Sequence, residues 1–143
     1  MTIRVLYYSK GKHTKQVAEA IAQAVQEKAE AVPPAYPADN VRLLFLGSGV
    51  YGGKAGKPME EYIGLLSSSR VQNVALFSTA GSGGDGAIRQ MRQMLTDRGI
   101  HVLDESFTCR GQFALFLSRN HPDAADLKAA QEFAQKAMES VKA

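Results

Sequence analysis

The chain has 143 residues, 45% of them hydrophobic and 22% charged, which suits one domain spanning residues 1–143 around a single core. The net charge of +3 comes from scattered cations, which is too mild to indicate nucleic-acid binding. Cys109 is the only cysteine, so an internal disulfide and a CxxC redox or zinc site are excluded. The sequence has no run of about eighteen apolar residues and no secretory signal, so we expect a cytoplasmic protein without membrane insertion.

An apolar run near the start of the chain changes abruptly into a helical pattern. Residues 3–8 (IRVLYY) predict a strand that is covered on both faces. From Thr14 onward the apolar residues fall on one helical face, which predicts an amphipathic helix with almost no loop before it. Three prolines follow this helix and allow only a short edge strand near residues 29–32.

The same alternation of strand and helix continues to the end of the chain. Further strands are predicted at 41–46, 74–78 and 101–109. Further helices are predicted at 58–68, 86–98 (with Asp85 as its cap) and 122–141 (with Pro122 and Asp123 at its start). Strands that alternate with helices in this way predict an α/β sandwich, with an open parallel sheet of about five strands between layers of helices.

Glycines concentrate where three of the predicted strands end. Ligands of open parallel sheets bind beyond the carboxyl ends of the strands, where the winding direction reverses. Ten of the 13 glycines fall at three such ends: Gly11; Gly47, Gly49, Gly52, Gly53 and Gly56; Gly81, Gly83, Gly84 and Gly86. Because glycine permits close backbone approach, these segments predict three loops that lie against a ligand.

The first of these loops has the composition of an anion site. It consists of Ser9, Lys10, Gly11, Lys12, His13 and Thr14. A helix N-terminus offers unpaired N–H groups and a partial positive charge, and the hydroxyls and cations of the loop add to both. We therefore predict that the loop binds a phosphate monoester. The simpler alternative is that Thr14 caps the helix and the lysines are solvated.

The spacing of this loop resembles the flavodoxin family. That family has an aromatic residue, then x-Ser/Thr-x-Thr-Gly-Asn-Thr, and later an Ala and an aliphatic residue on the helix. This chain has Tyr7, Ser9, Thr14, Ala18 and Ile21 at the matching positions, with "GKH" where the family has Thr-Gly-Asn. The resemblance implies that this loop wraps the phosphate of FMN, and that Lys12 or His13 replaces lost contacts with a charge-assisted one.

The other two loops carry the rest of the resemblance. The segment "GSGVYGGKAG" (47–56) looks like the family's second loop, which implies that Tyr51 stacks on the flavin ring and that Gly52 and Gly53 place a peptide beside flavin N5. An ordinary core tyrosine beside a wide glycine turn is the alternative. The third loop, "STAGSGGDGA" (78–87), corresponds to the family's contacts with the pyrimidine end of the ring. The implied cofactor-binding residues here are Ser48, Gly49 and Val50, and Thr79, Ala80, Gly81 and Ser82.

The resemblance covers the whole chain and implies a short-chain flavodoxin-like sandwich with strand order 2-1-3-4-5. It implies FMN as cofactor and electron transfer as function, so that a carrier is favoured over a stand-alone enzyme. Two alternatives stay open: an FMN-dependent NAD(P)H or quinone reductase, and a module that has lost the cofactor. Flavodoxins are typically acidic, whereas this chain has a pI near 9.1, which predicts a redox partner protein with an acidic docking surface.

Overall fold

The computed structural model describes residues 2–79, 85–109 and 123–141. In chain order its elements are β1 Thr2–Tyr8, α1 His13–Ala24, β2 Ala29–Ala31, β3 Val41–Tyr51, β4 Lys54–Ala55, α2 Lys57–Ile63, β5 Asn73–Thr79, α3 Gly86–Asp97, β6 His101–Cys109 and α4 Ala124–Ser140. Parallel neighbours follow the order β2-β1-β3-β5-β6, and β4 pairs with β3 in antiparallel fashion. The predicted α/β class is confirmed. The predicted order holds for the parallel strands, while β4 brings the sheet to six strands instead of five.

The sheet lies between two apolar layers because its central strands are apolar on both faces. Leu44 and Leu46 of β3 pack with the buried faces of α2 and α3, whereas Leu43 and Phe45 pack with those of α1 and α4. Strands β1 and β5 alternate in the same way. This two-sided burial explains why these strands have continuous apolar sequences rather than a polar and an apolar face.

Strand β3 is longer than its sequence predicts. The prediction ends it at residue 46 and begins a loop, but the strand continues through Gly47 and Gly49 to Tyr51 and then turns back into β4. Gly52 and Gly53 form the two-residue turn, both with positive φ (62° and 81°), as a tight hairpin requires. The interpretation of these glycines as a wide turn is therefore wrong. A Cβ on Gly47 would lie closer than 3.0 Å to the Phe77 ring, so this glycine makes room for an aromatic side chain on the neighbouring strand.

The helices differ from prediction mainly at their ends. Helix α2 ends at Ile63 rather than at residue 68, with Gly64 as its C-cap. Asp123 caps α4 in a capping box with Asp126, while Pro122 lies outside the described residues. Asp85 occupies the N-cap position of α3, but its side chain makes no capping hydrogen bond and instead pairs with Arg89 at 3.4 Å. No helix within the described ranges has the length and apolar character needed to cross a membrane.

Candidate functional site

The carboxyl ends of β1, β3 and β5 meet at one edge of the sheet. Tyr8 is paired with Ser48, and Gly49 is paired with Thr79, so the ends of the three strands are at one level. The first two predicted loops therefore lie side by side. Thr79 brings the start of the third loop to the same place, whereas Ala80, Gly81 and Ser82 lie outside the described residues.

The first loop leads into α1 without a side-chain cap. Lys12 occupies the N-cap position, and within the described residues no side chain caps this helix and no acidic residue lies in its first turn. Lys10 and Lys12 are exposed, and a Cβ added to Gly11 would meet nothing within 4 Å. The Ser9 hydroxyl donates to the Gly11 carbonyl oxygen at 2.6 Å, which holds the loop in a tight turn. The start of α1 therefore has N–H groups without intrahelical partners, and two exposed cations lie beside it.

Thr14 joins the first loop to the third strand end. It lies within the first turn of α1, where it is buried, and its hydroxyl is 2.6 Å from the hydroxyl of Thr79. Thr14 is therefore not the helix cap that the simpler interpretation makes it. One of the two hydroxyls donates to the other, and the bond fixes the start of α1 against the end of β5.

His13 is the titratable group at this helix start. Burial lowers the pKa of its imidazole, and the positive charge of Lys12 lowers the pKa further. The neutral form is therefore favoured at neutral pH. An anion bound between these two residues would offset the effect of Lys12 and raise the pKa of His13. The protonation state of His13 can therefore change with the charge of a ligand.

Tyr51 at the end of β3 contacts the first loop. Its hydroxyl oxygen accepts a hydrogen bond from the Lys10 N–H at 2.9 Å, and the Lys10 ammonium lies 4.8 Å from the centre of its ring. The ring also meets Tyr8 edge-on, with 6.0 Å between the ring centres. Tyr51 is only half-buried and lies at the sheet edge, so it is not an ordinary core aromatic.

The remaining residues of the second loop support this edge. Ser48 is fully buried, and its hydroxyl donates to the Gly49 carbonyl at 2.7 Å and accepts from the Gly56 N–H at 2.9 Å. Val50 packs against the core layer under α2 and α3. The Gly52–Gly53 turn is exposed and lies against the start of α3, where a Cβ on Gly86 would collide with the Gly53 carbonyl. The turn therefore stands at the rim with its main chain accessible.

Cys109 ends β6 and is buried. Burial raises the pKa of its thiol to about 12, and the carboxylates of Asp126 and Asp123 raise it as well. The thiol is therefore protonated at neutral pH, which does not suit a nucleophile.

Sequence reasoning missed a cavity of about 340 Å³ beside Tyr51. Tyr8, Lys10, Lys54 and Lys57 line it together with Tyr51. Lys54 and Lys57 lie within or next to the second glycine-rich segment, and their spacing on either side of "AG" was the available signal. They come together because the β3–β4 hairpin leads directly into α2.

Comparison with solved structures defines the class of protein. A flavodoxin from the domain Archaea superposes with a TM-score of 0.81, with 21% identity and full coverage of both chains. A WrbA-like flavodoxin from Agrobacterium tumefaciens gives a TM-score of 0.72, with 15% identity over 99% of this chain and 100% of that one. The chain therefore has the flavodoxin fold, which confirms the predicted resemblance at the level of the fold.

A closer relative is found at the level of sequence. No family model matches the chain. The uncharacterized protein MJ0298 of Methanocaldococcus jannaschii is 31% identical over 94% of this chain and 97% of its own length. The chain belongs to the same family as this archaeal protein.

Proposed function

We propose that the protein binds FMN and transfers electrons as a flavodoxin-like carrier, with the FMN phosphate at the N-terminus of α1. One observation carries the proposal. The uncapped start of α1, free of acidic residues, opens next to the glycine hairpin of β3 and β4 and is fixed to the end of β5 by the Thr14–Thr79 bond. The N–H groups and cations at the start of α1 suit a phosphate, and Tyr51 suits a planar ring joined to it by a short chain.

The residues present fit the phosphate. Main-chain N–H groups of the first helical turn are donors without intrahelical partners, and Lys10 and Lys12 supply positive charge in solvent. The "GKH" departure from the flavodoxin pattern replaces a hydroxyl with charge. In this proposal Lys12 and His13 face the phosphate, and His13 takes up a proton when the dianion binds.

Two contacts rearrange when the cofactor binds. Ser9 now donates within its own loop, and the Lys10 N–H is used by the Tyr51 hydroxyl. If FMN binds, the Lys10 N–H would be a donor for the phosphate, and Tyr51 would be the aromatic residue that covers the ring. The exposed main chain of Gly52 and Gly53 would supply a peptide group for contact with the ring.

Electron transfer, supplied by the bound FMN, does not require an acid–base pair from the protein. The one cysteine is a protonated, buried thiol, so it offers no nucleophile to a substrate. The work of the chain is to bind the cofactor, exclude water from one ring face with Tyr51, and set the polarity around it. These features favour a carrier over a stand-alone reductase.

The test compares FMN with riboflavin, which has the same ring but no phosphate. Titration of the purified protein should quench FMN fluorescence at low micromolar concentration or below, and riboflavin should bind at least about a hundredfold more weakly, because charge-assisted phosphate contacts contribute a few kcal/mol. Lys12→Gln should weaken FMN binding and leave riboflavin binding unchanged. Lys28→Gln, at an exposed site after α1, is the matched control.

The outcomes separate the candidate functions. Tight FMN binding with a stable one-electron form during stepwise reduction supports the carrier. Tight binding with two-electron reduction and NAD(P)H oxidation by the isolated protein supports the reductase. Equal, weak affinity for FMN and riboflavin would contradict the phosphate site and support a module without cofactor.

A further inference from the structure

The cavity beside Tyr51 includes two lysines, Lys54 and Lys57, that the proposed FMN contacts do not use. It has a volume of about 340 Å³, and Lys10, Lys54 and Lys57 surround the edge-on pair of Tyr8 and Tyr51. We name these three lysines the lysine rim. Glu60 also lines the cavity, and its carboxylate accepts a hydrogen bond from Gln90. Three cations therefore share the cavity with one carboxylate that already has a partner.

The charges of the lysine rim are available to a partner. All three side chains are exposed, and none of them forms an ion pair with any residue that the structure describes. The Lys10 ammonium lies over the Tyr51 ring, beside the aromatic pair. The surface thus has an aromatic centre and a polar, solvent-accessible rim, which is the general arrangement of a protein docking site.

We propose that the lysine rim docks an acidic surface of the redox partner protein. This inference rests on the proposed function, since Tyr51 is the residue that would cover the flavin and a partner docked on its flank would approach the ring. Exposed ammonium groups retain their water and give fast, salt-sensitive association rather than a tight site for a small anion. The net charge of +3 acts in the same direction from a distance.

The charge is local, which makes the proposal specific. Near the end of α1, Lys28 shares its surface with Glu19 and Glu27, so that region is not a cationic patch. Near β6, Lys136 lines a cavity with Asp104 and Glu105. If an acidic partner responded only to net charge, changes at Lys28 and Lys136 would lower its affinity as much as changes at the lysine rim.

The first experiment measures binding without relying on FMN. A ten-residue oligoglutamate is titrated into the protein, with and without FMN, and backbone amides are followed by NMR at low salt. We expect shifts in segments 8–12 and 51–60. Lys54→Gln/Lys57→Gln should lower the affinity about tenfold, and Lys28→Gln/Lys136→Gln, with the same change in net charge, less than about twofold.

The second experiment measures electron transfer to the FMN-loaded protein from a reduced plant-type [2Fe–2S] ferredoxin, an acidic one-electron donor. Each ferredoxin cluster loses one electron and the flavin gains it. The rim variant should react about tenfold more slowly at about 20 mM salt, and the difference should disappear at about 300 mM salt because exposed charges are screened.

The results separate this proposal from the cofactor proposal. If FMN does not bind, the cofactor proposal fails, and the oligoglutamate titration still tests the lysine rim. If both double variants lose affinity equally, or the shifts lie elsewhere, the docking proposal is overturned while FMN binding stands. Tighter binding of ADP than of oligoglutamate at the rim would also overturn it, in favour of a nucleotide site. Unchanged FMN affinity of the rim variant confirms that docking alone was altered.

Discussion

The hydrogen bond between the buried hydroxyls of Thr14 and Thr79 can be tested by removing one or both of them. Thr14→Val keeps the shape of the side chain but leaves the Thr79 hydroxyl buried without its partner, so the free energy of unfolding should fall by about 1–3 kcal/mol. Thr14→Val/Thr79→Val removes both polar groups and should recover most of that loss. Urea unfolding of the three proteins measures the effect. A double variant no more stable than the single one would mean that the two hydroxyls do not bond to each other.

The Tyr51 hydroxyl competes with a ligand for one N–H of the first loop. Tyr51→Phe keeps the ring and releases the Lys10 N–H, so FMN should bind roughly threefold to tenfold more tightly, the value of one hydrogen bond. Fluorescence quenching measures the affinity. Tyr36→Phe is the control, because Tyr36 is exposed and does not line the cavity beside Tyr51. Weaker FMN binding by Tyr51→Phe would show instead that the hydroxyl contacts the cofactor.

His13 gives the site a pH dependence whose sign follows from its surroundings. Burial and Lys12 lower its pKa below 6.5, so the unfolded chain binds more protons just below that pH. The contribution of His13 to stability is therefore full above about 6.5 and declines as the pH falls to the folded-state pKa. Lys12→Gln should raise the pKa, and bound FMN should raise it further, since a dianion favours the imidazolium. NMR titration of the imidazole checks both shifts; no change with FMN would place His13 away from the phosphate.

At the scale of elements, the contact between β3 and β5 depends on Gly47. A methyl group there would lie closer than 3.0 Å to the Phe77 ring, which is itself fully buried and cannot move into solvent. Gly47→Ala should therefore destabilise the protein by about 1–3 kcal/mol. Phe77→Leu should restore part of the loss in the double variant, while Gly11→Ala, in open space, should leave stability unchanged. Equal stability of Gly47→Ala and the parent protein would contradict this packing.

Sequence predicts well those elements whose apolar residues form a continuous run or a regular helical face. The run at 3–8 and the helical face after Thr14 identify β1 and α1 within a residue or two, because both bury one continuous surface. The end of β3 is different. Its glycines predict a loop, but they are strand residues chosen for neighbours such as Phe77, which only the folded sheet reveals. Likewise the spacing of Lys54 and Lys57 around "AG" does not show that they meet Lys10, because the β3–β4 hairpin brings the lysine rim together.

At the scale of the whole molecule, the candidate site that the structure describes borders the core: Ser48 is fully buried, and Val50 packs against the core. The two apolar layers cover the faces of the sheet, whereas every candidate cofactor-binding residue that the structure describes lies at the end of β1, β3 or β5 or at the start of α1. Changes at the glycine turn or the lysine rim can therefore alter binding without removing apolar burial. The core therefore supports the edge at which the candidate site lies.

The position of the candidate site at the sheet edge predicts how the molecule would respond to FMN. FMN at about a hundred times its dissociation constant should add about 2.7 kcal/mol to the free energy of unfolding, if it binds the folded state alone. Hydrogen exchange should slow most at amides of segments 9–16 and 51–56, because these contact the ligand. Amides at the opposite edge, such as Gln72 and Ile100, should slow only where they exchange by global unfolding. Riboflavin at equal occupancy is the control: it should protect 51–56 but not 9–16. Equal protection of both segments would show that the phosphate does not bind at the start of α1.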